Sequence, residues 1–332
     1  MDNMRPQSFT YEIAGHCIEI VWKLPDGQMW QLPGFAPFLY KKLSVSDTFQ
    51  KNKLLVFNIL SLDESDEDPI ERSLKNRERK ISTFDIENGT CELSKQDNSY
   101  KFQIFTIDGK LSIQLEMGEG SSTMNCYCAL YENPASLMRA PDPHHLRFAL
   151  WMAVGFAGIP EWTAAIHASV IIHENQAVMF LGESGTGKST HTRLWLDNIP
   201  GTRLLNDDSP ILRLHRQANT LYIYGSPWSG KGKVYCNECY PVAALVRLQQ
   251  APFNRARRLN VVHGFAALYP SFPPAYLKDE DLHEHICTII SEILKKIPVF
   301  RLDCLPNPSA VLHIYRKIFT VEGTSPRNVN RS

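Results

Sequence analysis

The chain has 332 residues, of which 43% are hydrophobic and 21% are charged, a composition that suits two globular domains. Lysine plus arginine equals aspartate plus glutamate at 35 each, and this balance excludes a general nucleic-acid binder, which carries a basic excess. The N-terminal residues lack the apolar core of a secretory signal, and the apolar run from Phe148 to Ile159 is shorter than the ~20 residues of a membrane helix. We therefore expect a cytoplasmic protein with neither a membrane nor a nucleic acid as partner.

The first 140 residues are typical of β-strands. Residues 102–115 (FQIFTIDGKLSIQL) form two alternating segments joined by Asp108-Gly109, and Asn88-Gly89 joins a similar pair upstream. Both dipeptides suit two-residue hairpin turns, in which the two central residues need positive φ. We interpret residues 1–140 as a smaller β-rich N-terminal domain that recognises a substrate or partner. Its charged stretch from Asp63 to Lys80 is either a docking patch or a solvated segment.

A change of sequence character near residues 132–145 predicts the domain boundary, because this segment is rich in proline and small polar residues. We assign residues 141–322 to a second domain and residues 323–332 to a disordered tail. Within the second domain, residues 240–248 (YPVAALVRL) predict a buried strand, and residues 282–297 have the 3.6-residue period of an amphipathic helix.

The stretch GESGTGKST at residues 182–190 has the full spacing of a phosphate-binding loop. An apolar strand should enter it at Leu181 and a helix should leave it at Lys188. The glycines let the backbone amides face an anion, Lys188 supplies a positive charge for the terminal phosphates, and the Ser189 hydroxyl suits Mg²⁺. The residues predicted to contact the nucleotide are Gly182, Glu183, Ser184, Gly185, Thr186, Gly187, Lys188, Ser189 and Thr190.

Two adjacent carboxylates, Asp207 and Asp208, follow an apolar lead-in downstream of the loop. In phosphate-loop proteins an aspartate after a strand holds Mg²⁺. A pair permits a division of labour, with one carboxylate on the metal and the other on the attacking hydroxyl. The alternative is a turn, since Asp-Asp-Ser-Pro is also good turn chemistry.

Four motifs occur in order: Ile166-His167-Ala168-Ser169, the glycine-rich loop, the aspartate pair, and the stretch GSPWSGK at residues 225–231. This series resembles the superfamily of HPr serine kinases and ATP-dependent phosphoenolpyruvate carboxykinases, over roughly residues 144–318. The resemblance implies an α/β phosphate-loop domain with a mixed sheet, of the carboxykinase type. The glutamate-arginine-glycine signature of HPr kinases is not found after the aspartate strand, where residues 225–233 stand instead, so the chain resembles a divergent, kinase-like branch.

The resemblance also implies roles for individual residues. It places His167 near the metal or the γ-phosphate, with Ser189, Asp208 and His167 as metal ligands. Asp207 is then the candidate base, although the two aspartates could exchange roles.

Lys231, which stands between two glycines, is expected to clamp the transferred phosphoryl group or an acidic substrate; the alternative is a solvated loop lysine. The arginines at 255, 257 and 258 form a further anion contact or an exposed basic edge. His173 and His191 lack such support and are expected at the surface.

Taken together, the sequence predicts a kinase that uses ATP and Mg²⁺, or Mn²⁺ in its place, to phosphorylate a hydroxyl. The acceptor is serine-like, either a small molecule or a protein, and self-association into a homo-oligomer is left open. The predicted catalytic residues are Lys188, His167, Asp207, Asp208 and Lys231. The alternative is a nucleotide-binding regulatory or accessory module without phosphoryl transfer.

Overall fold

The computed structural model describes residues 4–25, 31–41, 53–62, 78–96, 99–118, 120–133 and 136–319. Most of the charged stretch between Asp63 and Lys80, and the predicted tail at 323–332, lie outside the described residues. In the part that is described, no helix is long and apolar enough to cross a membrane.

The N-terminal half builds one eight-stranded sheet with the order β1-β2-β3-β8-β7-β6-β5-β4. β3 runs parallel to both of its neighbours, and the other pairs are antiparallel. Its strands are β1 (Met4–Ile13), β2 (His16–Pro25), β3 (Lys53–Ser61), β4 (Arg79–Ile86), β5 (Gly89–Gln96), β6 (Ser99–Thr106), β7 (Leu111–Gly118) and β8 (Thr123–Cys128). A two-stranded ribbon, β9 (Tyr131–Asn133) and β10 (Ser136–Ala140), leads out of the sheet.

The two predicted hairpins form, but the first turn is shifted by one residue and the second is longer than two residues. β5 begins at Gly89, which pairs with Ile86, so the turn residues are Glu87 and Asn88. Between β6 and β7, Gly109 has a φ of 78° whereas Asp108 is not among the residues with positive φ. Here the Gly109 N–H bonds the Thr106 carbonyl at 2.8 Å and the loop is longer than two residues. A register shift next to Phe105 accompanies this longer loop.

Helix α1 (Pro143–Gly158) joins the N-terminal sheet to the rest of the chain. The Asp142 side chain caps it by accepting hydrogen bonds from two backbone N–H groups, and Pro143 starts it with a favourable φ. The helix packs on β3, β6, β7 and β8. It also contacts β11 of the second sheet, so the hydrophobic core continues across the boundary predicted at 140/141.

The second half is a mixed sheet flanked by helices, which confirms the mixed α/β class. Its main path has the order β11-β15-β16-β17-β13-β12-β14, and β19 extends it from β17 to the edge strand β18. The strands are β11 (Thr163–Ala165), β12 (Ala168–His173), β13 (Gln176–Leu181), β14 (Arg203–Asn206), β15 (Ile211–His215), β16 (Thr220–Tyr224), β17 (Cys239–Gln250), β18 (Arg255–Arg258) and β19 (Val299–Cys304). The helices are α2 (Lys188–Asn198), α3 (Val261–Leu268), α4 (Pro274–Leu277), α5 (Glu280–Lys296) and α6 (Pro308–Phe319).

Each face of this sheet is covered by helices. On one face, α2 and α6 bury Trp195 against Phe180 and Tyr315. On the other face lies the larger core, to which α1, α4 and α5 contribute. Tyr276 of α4 reaches α1 because Gly155 has no side chain: a Cβ there would lie 2.1 Å from the tyrosine oxygen. The predicted strand over 240–248 and the predicted helix over 282–297 are both confirmed.

The expectation that His173 and His191 lie at the surface is wrong. His173 is 7% exposed and packs edge-on against Tyr315 and Phe319 of α6. His191 is 3% exposed, packs on Phe180, and accepts a hydrogen bond at Nε2 from the Trp195 indole at 3.2 Å. Both histidines belong to the apolar layer under the helices. Their spacing in the sequence did not reveal this burial.

The burial of His191 makes folding sensitive to pH. Because the Trp195 indole only donates, Nε2 must be unprotonated, and burial lowers the pKa of His191 to about 4. In the unfolded chain, His191 takes up a proton at its ordinary pKa of 6.5. Above that pH the ring is neutral in both states, and its burial costs no stability. As the pH falls from 6.5 to about 4, the free energy of unfolding decreases by about 3 kcal/mol.

We expect His191→Gln to flatten the pH dependence of the unfolding free energy in this range, measured by urea denaturation. Glutamine keeps an acceptor for Trp195 but does not titrate. His144→Gln, at an exposed position on α1, is the matched control and should behave as wild type. An unchanged pH profile in His191→Gln would contradict the assignment.

Candidate functional site

The predicted phosphate loop has the expected strand and helix on either side. β13 ends at Leu181 and α2 begins at Lys188. Gly185 and Gly187 have φ values of 81° and 97°, a region that favours glycine, and Gly187 occupies the N-cap of α2. The loop closes on itself through the Thr186 hydroxyl, which donates to the Glu183 carbonyl at 2.8 Å. The backbone amides at the start of α2 thus form the kind of concave end that binds anions.

Lys188 lies beneath this loop, not in solvent. Its Nζ donates to the carbonyls of Gly182 at 2.7 Å and Glu183 at 3.1 Å, and lies 2.9 Å from His167 Nε2. The residue is 9% exposed, and this burial lowers the pKa of Lys188, while the nearby Asp208 carboxylate opposes the shift. A positive charge is therefore held at the base of the loop by neutral acceptors.

His167 links Lys188 to Asp208. Its Nδ1 lies 3.3 Å from Asp208 Oδ1. Since an ammonium group only donates, Nε2 of His167 accepts from Lys188, and the ring proton of the neutral histidine then resides on Nδ1 and points at Asp208. The hydrogen bond from His167 lowers the pKa of Asp208, against the effect of burial, so the carboxylate is ionised at neutral pH.

The backbone holds this chain of side chains in place. The Ala168 N–H donates to the Asp208 carbonyl at 3.1 Å, and the His167 N–H donates to the Ser271 carbonyl at 2.7 Å. The structure therefore brings together three predicted site residues, Lys188, His167 and Asp208.

Asp207 faces a different partner, the glycine-rich segment 225–233. Its Oδ1 accepts from the Ser229 hydroxyl at 2.6 Å and the Gly230 N–H at 2.8 Å, and its Oδ2 accepts from the Gly232 N–H at 2.8 Å. The missing side chain of Gly232 matters, because a Cβ would lie 2.7 Å from Oδ2. Both oxygens of Asp207 thus anchor this segment, whereas the resemblance implied that Asp207 is the candidate base, with exchange of roles between the two aspartates left open.

Asn206 completes the anchor and was missed by sequence reasoning. It is fully buried, and its Oδ1 accepts from the N–H groups of Asp208 at 2.9 Å and Ser209 at 3.0 Å. Its Nδ2 donates to the Trp228 carbonyl at 3.1 Å and the Ser226 hydroxyl at 3.2 Å. An amide at the end of an apolar strand, directly before two carboxylates, was the available sequence signal.

Two polar residues of β17 also border the loop. β17 runs parallel to β13, and Arg247 pairs with Leu181, the last residue before the loop. Its Nη2 lies 3.5 Å from Glu183 Oε1, and Gln250 Nε2 donates to the Gly185 carbonyl at 3.2 Å. Arg247 is the only charged residue of β17 and follows an apolar run, which signals such a position, because the carboxyl ends of neighbouring parallel strands meet at one edge.

The remaining predicted residues lie on the accessible side of the site. Ser184, Ser189 and Thr190 are exposed, and Lys231 is exposed between the two glycines that bond Asp207. A cavity of about 510 Å³ borders the loop. Its lining includes Thr190, Leu194, Leu248, Gln250 and Leu305.

Replacing Asp207 by asparagine should loosen segment 225–233. The amide places an NH₂ group where a carboxylate oxygen now accepts an N–H, which leaves a donor unpaired and costs about 1–3 kcal/mol. We expect a lower free energy of unfolding in urea and faster amide exchange at Gly230 and Gly232. Asp197→Asn, on the exposed side of α2, is the control. Exchange at wild-type rates in Asp207→Asn would show that this carboxylate does not anchor the segment.

The comparisons with known proteins add little to this geometry. No protein-family model matches the chain, and no curated protein matches it. Among solved structures, the HPr(Ser) kinase/phosphatase from Coxiella burnetii is similar over 46% of this chain and 94% of its own, at 16% sequence identity and a TM-score of 0.27. This weak likeness places the chain in no family, and the interpretation of the site depends on the geometry described above.

Proposed function

We propose that the protein is a kinase that binds a nucleoside triphosphate, ATP, at the loop 182–190 and transfers its γ-phosphoryl group to a hydroxyl. The observation that carries this proposal is the hydrogen-bonded series from Lys188 through His167 to Asp208, directly beneath a glycine-rich loop at a helix N-terminus. A positive charge, a polar relay and an ionised carboxylate at one edge of a sheet are the parts that phosphoryl transfer needs.

The loop would hold the phosphates. The backbone N–H groups of Gly185, Gly187 and Ser189 would bind the anion, whereas the Thr186 N–H already donates to the Glu183 carbonyl at 3.2 Å. Lys188 would exchange its carbonyl partners for phosphate oxygens. Arg247 would supply a second positive charge. An incoming phosphate would displace the exposed Glu183 carboxylate from the Arg247 guanidinium. The cavity of about 510 Å³ beside the loop has room for the base and ribose.

The donor set at the site fits a hard divalent cation, Mg²⁺ or Mn²⁺. The Ser189 hydroxyl is exposed in the first turn of α2, and the Asp208 carboxylate is ionised. Both ring nitrogens of His167 already lie within hydrogen-bonding distance of other side chains, so we assign the metal to Ser189 and Asp208 and leave His167 out. The metal would supply neutralisation of the charge on the β- and γ-phosphates.

Asp208 is also the carboxylate that we assign to the acceptor. The acceptor oxygen forms a bond to the γ-phosphorus as the bond from that phosphorus to the β-bridging oxygen breaks, and the hydroxyl proton passes to Asp208 and then to solvent. His167 orients Asp208 through Nδ1–H. Asp207 positions segment 225–233, so that Lys231 contacts the transferred phosphoryl group. The acceptor class is a serine-like hydroxyl, in a small molecule or in a protein.

Two substitutions separate binding from transfer. We expect Lys188→Ala to weaken triphosphate binding and to lower transfer by at least about 100-fold. Asp208→Asn should bind ATP without Mg²⁺ as the wild type does, but it should lose about 10²–10⁴-fold in the rate of transfer, because Asp208 is assigned to both the metal and the acceptor. The measurement is transfer of labelled γ-phosphate from Mg-ATP to free serine, seryl peptides and small phosphorylated metabolites that carry a hydroxyl.

Lys110→Ala, in the exposed β6–β7 hairpin, is the control and should retain wild-type binding and turnover. Wild-type turnover in Asp208→Asn would overturn its role. Tight binding of Mg-ATP by the wild-type chain with neither transfer nor isotope exchange would favour the alternative, a nucleotide-binding regulatory module.

A further inference from the structure

A second cavity lies away from the phosphate loop. It measures about 880 Å³ and opens where the N-terminal sheet meets α1, α5 and β15. This volume falls in the range of small-molecule sites, which occur preferentially between packed units of a protein. None of the loop residues 182–190, nor His167 or Asp208, lines it.

Arg213 places a positive charge in the wall of this cavity. It projects from β15, is half-buried, and donates from Nη1 to the Ala14 carbonyl at 2.7 Å. This approach depends on Gly15, where a Cβ would lie 2.8 Å from Nη1. Within the described part of the chain, no carboxylate lies within 4 Å of its guanidinium, and the nearby Glu161 is an exposed residue of the lining. Most of the five N–H donors of an arginine are thus free to bind an anion.

The other ionisable groups of the lining leave Arg213 as the main attraction for an anion. Burial and the neighbouring Arg213 lower the pKa of His16 to about 3, so this histidine is neutral at physiological pH. Lys53 is paired with Glu19, and Asp281 is paired with Lys95 at 2.6 Å. A ligand that carries one negative charge therefore matches the cavity better than a highly charged one.

Apolar side chains form part of the remaining wall, beside glycines, serines and Tyr100. Met117, Met124, Phe156 and Leu282 are each no more than 7% exposed and line the cavity together with Leu54. Methionine side chains are flexible and adapt to ligands of different shape. An apolar body of a few carbon atoms would pack against the parts of these side chains that line the cavity.

We propose that this cavity is a binding site for a small carboxylate with an apolar body, whose carboxylate pairs with Arg213. The site is independent of the nucleotide site, although β15 begins only three residues after Asp208. The proposal does not depend on the kinase assignment.

The test compares hexanoate with hexanamide, which has nearly the same shape but no charge. Isothermal titration of the wild-type chain should show saturable binding of hexanoate, with hexanamide at least about tenfold weaker, as expected for a hydrogen-bonded charge. Arg213→Gln should weaken hexanoate binding by at least the same factor. Arg216→Gln removes a neighbouring arginine that lies over the Trp162 ring outside the cavity, and it should bind hexanoate as wild type does.

Equal binding of hexanoate and hexanamide, or no binding of hexanoate, would overturn the proposal. Hexanoate affinity in a folded Arg213→Gln equal to that of the wild type would do the same. The comparison of the two probes on the wild-type chain decides the matter even if Arg213→Gln fails to fold. Binding of inorganic tripolyphosphate, measured in parallel, reports separately on the phosphate loop.

Discussion

The buried hydrogen bonds at the end of β14 are the constraint on which the candidate site depends. Asn206 has no access to water, so its amide must find partners within the protein, and it finds them in Asp208, Ser209, Ser226 and Trp228. Once Asn206 is fixed, the next two carboxylates diverge. One bonds segment 225–233 and the other faces His167. A single turn thus fastens a distant loop and orients the ionised group beneath the phosphate loop.

The apolar layer behind the phosphate loop fixes the position of α2 relative to the sheet. α2 is held to the sheet by Trp195, which is fully buried, and by His191, a neutral polar residue inside the same layer. The Ser169 hydroxyl bonds the Thr192 hydroxyl at 2.8 Å, which ties β12 to α2 from the inside. Because His167 directly precedes β12, the helix, the histidine and the loop are joined in one packed unit. Preorganisation of this kind reduces the cost of positioning reactive groups.

The N-terminal sheet is packed against the second half of the chain. It shares a hydrophobic core with it through α1, and it supplies much of the wall of the larger cavity. Arg213 faces that wall from β15, the strand that follows the aspartate pair. A ligand between the halves would therefore contact an element that is continuous with the proposed catalytic turn.

The sequence alone predicted the strand, loop and helix around residues 176–198, because glycine spacing, a lysine and an apolar lead-in are local properties of the chain. It also placed the buried strand β17 and the amphipathic helix α5, whose periodicity is visible in short windows. The packing of the folded chain was needed to show that Asp207 anchors a loop while Asp208 faces His167. The same holds for the burial of His173 and His191 and for Arg247 and Asn206 at the border of the site. These outcomes depend on which remote segments pack together, and adjacent residues such as Asp207 and Asp208 look alike until their surroundings are known.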